Sequence, residues 1–178
     1  MTPEQRHLCM SRIKSKNTKP ELIVRRYLFA YGFRFRIHVN TLPGKPDIVL
    51  RKYRTVIFVN GCFWHGHENC NFYSFPKTNV EFWKRKIERN KERDLKNRIK
   101  IRTMGWHVIL LWECQLKPQK RAETLAGLIL TLNRIYLNDK GNKITLYKEY
   151  KTDNMIAAES KNEDYITYSK KITEKDNF

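Results

Sequence analysis

At 178 residues, 40% of them hydrophobic, the chain has material for one folded domain and a tail. No run is long or apolar enough to span a membrane, and Met1-Thr-Pro-Glu-Gln-Arg6 lacks the apolar stretch of a signal peptide, so a cytoplasmic protein is expected. Lys and Arg outnumber acidic residues 36 to 18, for a net charge of +18. The excess lies before residue 138: residues 138–178 hold eight Lys and eight acidic side chains, the rest 28 basic against 10 acidic. A domain so charged repels itself unless a polyanion is near, and counterion release from a phosphate backbone is the usual compensation. A solubilising basic surface and an acidic protein partner are the alternatives.

In chain order, residues 3–16 are polar and basic, as in an arm or short surface helix. Pro20-Glu21 opens a helix with Leu22, Ile23, Tyr27 and Leu28 on its apolar face, and Gly32 suits its C-terminal cap. Phe33-Arg-Phe-Arg-Ile-His38 alternates with period two and predicts a half-buried strand. After the turn Leu42–Pro46, Asp47–Leu50 and Thr55–Asn60 predict two apolar strands. A hairpin centred on Tyr53 would pair Asp47 with Val59 and set a carboxylate at the open end of the sheet. Asn79 is expected to cap a helix running to about Met104, with Trp83, Ile87, Asn90 and Asp94 at helical spacing. Trp106–Trp112 predicts a buried strand and 119–137 a last amphipathic helix. This order implies a mixed sheet flanked by helices. The polar stretch from 138 onward is of a composition more often disordered than functional.

Four constellations carry chemistry. Cys62, His67, Cys70 and Cys114 supply three thiolates and an imidazole, a closed tetrahedral set that favours a structural zinc over ordinary small core residues. Cys9 has no partner at ligand spacing and is expected to be a free thiol. Asp47 at a strand end, with the Val59 carbonyl, can hold Mg²⁺, which needs few protein ligands when phosphates are present; an Asp that only caps the turn is the simpler alternative. His65 can act as a general base if Asp94 orients it, and without Asp47 nearby it would read as a solvated loop histidine. Phe63-Trp64, on a loop held by the zinc ligands, can either wedge into a base step or pack against Trp83 or Trp106.

Leu42-Pro-Gly-Lys-Pro-Asp47, Val56-Ile-Phe-Val-Asn-Gly-Cys-Phe-Trp-His65, Glu81-Phe-Trp83, Glu92-Arg-Asp94, Gly105-Trp106 and Trp112-Glu-Cys114 together resemble the very-short-patch repair endonucleases, over about residues 5–137. The resemblance implies an α/β, restriction-endonuclease-like fold, a mixed central sheet flanked by helices with one structural zinc. It implies an N-terminal DNA-contacting arm at 1–19 and an endonuclease domain at 20–137, and the polar tail at 138–178 lies outside it. The implied substrate is duplex DNA with a T:G mismatch from deaminated 5-methylcytosine, nicked 5′ to the T with Mg²⁺, by a monomer open to mismatch-repair partners. Carried onto matching positions, Asp47 binds magnesium, His65 is the general base supported by Asp94, and Glu21 lies near metal-bound waters. Cys62, His67, Cys70 and Cys114 match the zinc ligands, and Phe63, Trp64 and Met10 match intercalating residues. Asn60 stands where some members have a histidine, Val59 where they have threonine, and the loop before Cys70 is one residue longer than in some. Restriction enzymes of the usual form carry Glu-x-Lys on the second hairpin strand, and Thr55–Asn60 has neither acid nor lysine. A non-catalytic zinc-stapled DNA-binding module would account for the charge and the cysteines, but not for Asp47, His65 and Asp94 together.

Overall fold

Hydrophobic alternation in the strands builds a sheet with two dry faces. In the computed structural model, which describes Gln5, Leu8 and residues 16–139, the elements run α1 (Lys19–Ala30), β1 (Ile48–Leu50), β2 (Thr55–Asn60), α2 (Val80–Thr103), β3 (His107–Trp112) and α3 (Pro118–Asp139). Cys9, Met10, most of the expected arm and the stretch from residue 140 lie outside the described residues. The chain divides after Tyr136 into two units, and the sheet belongs to the first.

The strands stand in the order β1-β2-β3. A short 3-10 turn, Arg51–Tyr53, ends on Arg54 in the left-handed region and makes β1 and β2 antiparallel. β2 and β3 are parallel, which a tight turn cannot achieve, and α2 lies in the crossover between them. Ile48, Leu50, Ile57 and Leu111 face one side, where they meet Val24 and Leu28 of α1 and Leu125, Leu128 and Leu132 of α3. Val49 and Val56 face the other, against Leu42 and Ile101 of α2. The mixed sheet between helices is the architecture the sequence implies.

Four local expectations are corrected. Phe33–His38 forms no strand: its alternation is real, with Phe33 buried and Phe35 packed on the same core, but only Arg36 bridges to Val49. His38 turns to φ 54°, which breaks the extended run. The β1–β2 register is Ile48 to Ile57, one residue from a hairpin centred on Tyr53, so that a continued ladder would set Asp47 beside Phe58 rather than Val59. Asn79 does occupy the position before α2, but at φ 52° and with no side-chain capping bond. Finally, β3 is only partly covered: Leu111 alone of its residues is buried, His107 is exposed and the others are half-buried.

Ile101 is the one fully buried residue that α2 contributes to the second core, at 0% exposure. Ile101→Ala should therefore cost roughly 2–5 kcal/mol of stability, read from denaturant melts, because the sheet and helix cannot both close over the space left.

Candidate active site and metal centre

Where the β1–β2 ladder stops, a side chain continues it. Pro46 is buried and ends the turn, and the next residue, Asp47, accepts the Val59 backbone N–H on Oδ2 at 2.7 Å. The carboxylate thus reaches Val59 as the sequence suggested, by its side chain and across a register one residue different. Burial dominates its electrostatics, and Glu21 nearby adds to it, while the Val59 N–H, Arg25 and His65 act the other way. The balance pushes the Asp47 carboxyl up to about 6. A half-buried carboxylate so raised is unsatisfied as an anion, which is the state a divalent cation relieves.

His65 lies two residues beyond Phe63 in a loop held by backbone bonds, His65 N–H to the Gly61 carbonyl at 3.2 Å and His67 N–H to the Cys62 carbonyl at 2.9 Å. Its Nδ1 meets Asp94 Oδ2 at 2.5 Å, which leaves Nε2 for another partner. Burial raises the Asp94 carboxyl, but the hydrogen bond and charge of His65, together with Arg93, outweigh it, and the net shift is downward. The stripe Trp83, Ile87, Asn90 and Asp94 is what clamps this loop. Asn90 Nδ2 donates to the Trp64 carbonyl at 2.9 Å, and Lys91 pairs with Glu68 at 2.6 Å. Gly66 is buried against the same helix at φ 58°, where a Cβ would stand 2.7 Å from Ile87 Cγ2 and 2.5 Å from Lys91 Cε.

Glu21 is buried on α1, with both oxygens engaged. Oε1 accepts the Thr18 N–H at 3.3 Å and hydroxyl at 2.8 Å, and Oε2 accepts the Asn17 N–H at 3.0 Å and Arg25 at 2.7 Å. Arg25 was not singled out in the sequence, although its i,i+4 spacing from Glu21 was a signal for an ion pair.

The ligand atoms of Cys62, His67, Cys70 and Cys114 all lie within 4.8 Å of one another. Cys114 Sγ and His67 Nδ1 are 3.4 Å apart, against about 3.5 Å between a thiolate and an imidazole nitrogen on one tetrahedral zinc. The thiols alone could not all ionise. Burial pushes Cys62 up to about 12 and also raises Cys114. Cys70 is lowered because hydrogen bonds from the Phe72 backbone and from Cys62 outweigh its burial. The set therefore fits a thiophilic divalent metal such as zinc, whose charge would hold the remaining thiols as thiolates. Trp112 stacks flat on His67, centroids 4.0 Å apart and planes 2° from parallel, a contact that the sequence reading had not named.

Phe63 and Trp64 are half-buried in an aromatic cluster with Trp83, at centroid distances of 5.2 and 6.0 Å, and Lys86 Nζ lies 5.5 Å over Trp64. The packing alternative raised from the sequence is thus realised at Trp83. Trp106 packs instead on the Val49–Ile101 core.

A three-stranded mixed sheet between helices, a carboxylate at its strand end and a Cys₃His cluster are the features of a restriction-endonuclease-like α/β domain. Residues 1–71 match the family described as DNA mismatch endonuclease Vsr. The type II nicking enzyme V.NmeAIP of Neisseria meningitidis is 51% identical over 116 residues, 65% of this chain and 82% of the relative. V.XorIIP of Xanthomonas oryzae is 45% identical over 116 residues, covering 65% and 85%. The DNA mismatch endonuclease Vsr of Escherichia coli is 39% identical over 112 residues, covering 63% and 71%. The chain belongs to the DNA mismatch, or very-short-patch repair, endonuclease family.

Two outcomes follow from this geometry. The Asp47 carboxyl is raised in the folded protein, so its contribution is full below the ordinary carboxylate range and is lost as pH rises through about 6. Without added magnesium, Asp47→Asn should be more stable than wild type by on the order of 2 kcal/mol at pH 7.5 and roughly half that at pH 5, in paired denaturant melts. Equal stability at both pH values would refute the burial cost assigned here. Cys114→Ala should co-purify with far less metal and melt well below wild type, since losing one ligand opens the site; metal analysis and thermal melts check it.

Proposed function

We propose that this protein nicks one strand of duplex DNA 5′ to the T of a T:G mismatch by magnesium-dependent phosphodiester hydrolysis. The observation that carries the reading is Asp47, pinned on the Val59 N–H in electrostatic contact with a His65 that Asp94 braces. Asp47 and the Val59 carbonyl would hold Mg²⁺, which when bound offsets phosphate charge and polarises the scissile phosphodiester. His65 takes a proton from the attacking water on Nε2, while Asp94 holds Nδ1–H and so fixes the tautomer. The water oxygen bonds to phosphorus as the P–O3′ bond breaks, and the leaving 3′ oxygen takes a proton from solvent, giving a 3′-hydroxyl and a 5′-phosphate. Glu21 supports the Asp47 end of the site through its bonds to α1 and Arg25.

Zinc is the metal proposed for Cys62, His67, Cys70 and Cys114, and its role is to hold the loop that carries His65. Phe63 and Trp64, with Met10 of the arm, are proposed as the wedge that unstacks the mismatch, and their half-buried state leaves ring surface for a base step. The catalytic unit is proposed as 20–137, with 1–19 a DNA-contacting arm and 138–178 dispensable for nicking. Among the described residues no helix is long and apolar enough to cross a membrane.

The test is DNA binding and single-turnover nicking, side by side, on T:G and T:A duplexes. Asp47→Ala and His65→Ala should bind near wild type yet nick at least roughly 100-fold more slowly, the usual share of a general base. Trp64→Ala should lose discrimination between the duplexes worth roughly 1–3 kcal/mol, more than it loses non-specific affinity. Wild-type cutting by Asp47→Ala in Mg²⁺ would overturn the role given to Asp47, and a wild-type chain that binds both duplexes but cuts neither would leave a zinc-stapled binding module as the better description.

A further inference from the structure

Arg25 is a buried cation that enters the catalytic scheme above only as a partner of Glu21. Only 7% of the residue is exposed, on the inner side of α1. Its Nη2 donates to Glu21 Oε2 at 2.7 Å and to the Asp47 carbonyl oxygen at 3.2 Å, and its Nη1 donates to Asn17 Oδ1 at 2.7 Å. Its Nε is buried with no hydrogen-bond partner. A guanidinium held this way carries a desolvation cost that an apolar residue of the same volume would not.

What the three bonds achieve is visible at Asp47. That residue is gripped twice, at its main-chain carbonyl by Arg25 and at Oδ2 by the Val59 N–H. The first grip sets the position of the Asp47 peptide and the second sets the direction of its carboxylate. The planar fork of an arginine can hold Asn17, Glu21 and Asp47 at once, whereas a lysine at the same depth presents a single nitrogen. Asn17, itself at φ 54°, is exposed apart from this contact and ties the approach to α1 into the same group.

We infer that Arg25 is the positioning residue of the Asp47 centre: by bonding the Asp47 carbonyl, Glu21 and Asn17 together, it fixes the carboxylate where it accepts the Val59 N–H and would hold the cation that meets the reacting phosphate. The inference rests on the functional reading above, and it extends that reading to a residue that touches neither DNA nor metal. Small displacements of a positioned group cost rate without costing affinity, which separates this role from a general structural one.

The test uses the full chain and two readouts. One is single-turnover nicking of a T:G duplex in Mg²⁺, alongside DNA affinity. The other is the Val59 backbone amide proton shift and exchange protection by NMR without DNA, which report the Asp47 hydrogen bond directly. Arg25→Lys should slow nicking by roughly 10- to 100-fold with DNA affinity within about twofold of wild type, and should shift the Val59 amide upfield and speed its exchange. Asn17→Ala, which removes one bond at an exposed residue, should do the same to a lesser degree and stands in if Arg25→Lys does not fold. An unchanged Val59 amide in the folded variant overturns the inference, whatever happens to the rate. A wild-type chain that does not nick but whose Val59 amide moves on Arg25→Lys upholds the positioning role and sinks the functional reading instead.

Discussion

A carboxylate lodged half-buried at the end of a sheet is the constraint around which the rest of this domain is arranged. Asp47 would be more comfortable neutral, as its rise to about 6 shows, yet every element nearby keeps it oriented as an acceptor. The β1–β2 ladder brings the Val59 N–H to it, α1 brings Arg25, and the loop after β2 brings His65. The sheet is small, three strands with β1 only three residues long, and its fully apolar strand interiors anchor it between two helical layers. Strand ends at such a sheet are rigid in position but open on one side. That combination lets a charged group be held firmly without being sealed from solvent.

The loop from Gly61 to Cys70 solves the second problem, which is to hold a histidine without regular secondary structure. The loop has few backbone bonds of its own. It is gripped instead on two flanks, by the convergence of Cys62, His67 and Cys70 on Cys114 and by the α2 stripe. His65 falls between two members of the metal cluster and is bonded to α2 in between, so a metal bound at Cys62 and His67 fixes both ends of the segment that carries it. Gly66 permits this closeness, since any side chain there would meet Ile87 and Lys91. Trp112, the last residue of β3, lies flat on the imidazole of His67, and the 3-10 turn that follows, Glu113–Leu116, supplies the ligand Cys114.

Much of this was legible in the sequence, and the failures share a cause. The strands at 48–50, 55–60 and 107–112 show as continuous apolar runs, because both faces of the sheet are covered, and the helical stripe Trp83, Ile87, Asn90 and Asp94 shows as a repeat that can be counted. The Cys₃His cluster was legible because those residue types have few other uses together. Phe33–His38 shows the limit: its alternating phenylalanines do reach the core, but whether a segment joins a ladder depends on partners elsewhere, and His38 turns away. The one-residue register shift has the same origin, since the left-handed Arg54 and the 3-10 turn decide it and neither has a period. Arg25 was missed because its meaning lies in a contact with a carbonyl 22 residues away, and a carbonyl carries no sequence signature.

Charge distribution joins the site to its surroundings. Of the ten acidic residues before position 138, three are Glu21, Asp47 and Asp94, gathered at one place in a domain otherwise carrying 28 basic side chains. Those three carboxylates could not repel a duplex against such a field, because at a Debye length of roughly 8–10 Å the 28 basic side chains outnumber them, and their own pull is felt only close by. The long-range force therefore draws a phosphate backbone in, and the short-range one draws a cation to the same spot. Neither pull is useful alone. A phosphate brought to bare carboxylates would meet repulsion at contact, and a cation held by one half-buried carboxylate and a carbonyl would be weakly bound without phosphate oxygens to complete its shell. On the function proposed above, the arrangement would be self-consistent as a ternary site, with the protein supplying the minority of ligands and DNA and water the rest, which accounts for a carboxylate left raised to about 6 in the free protein.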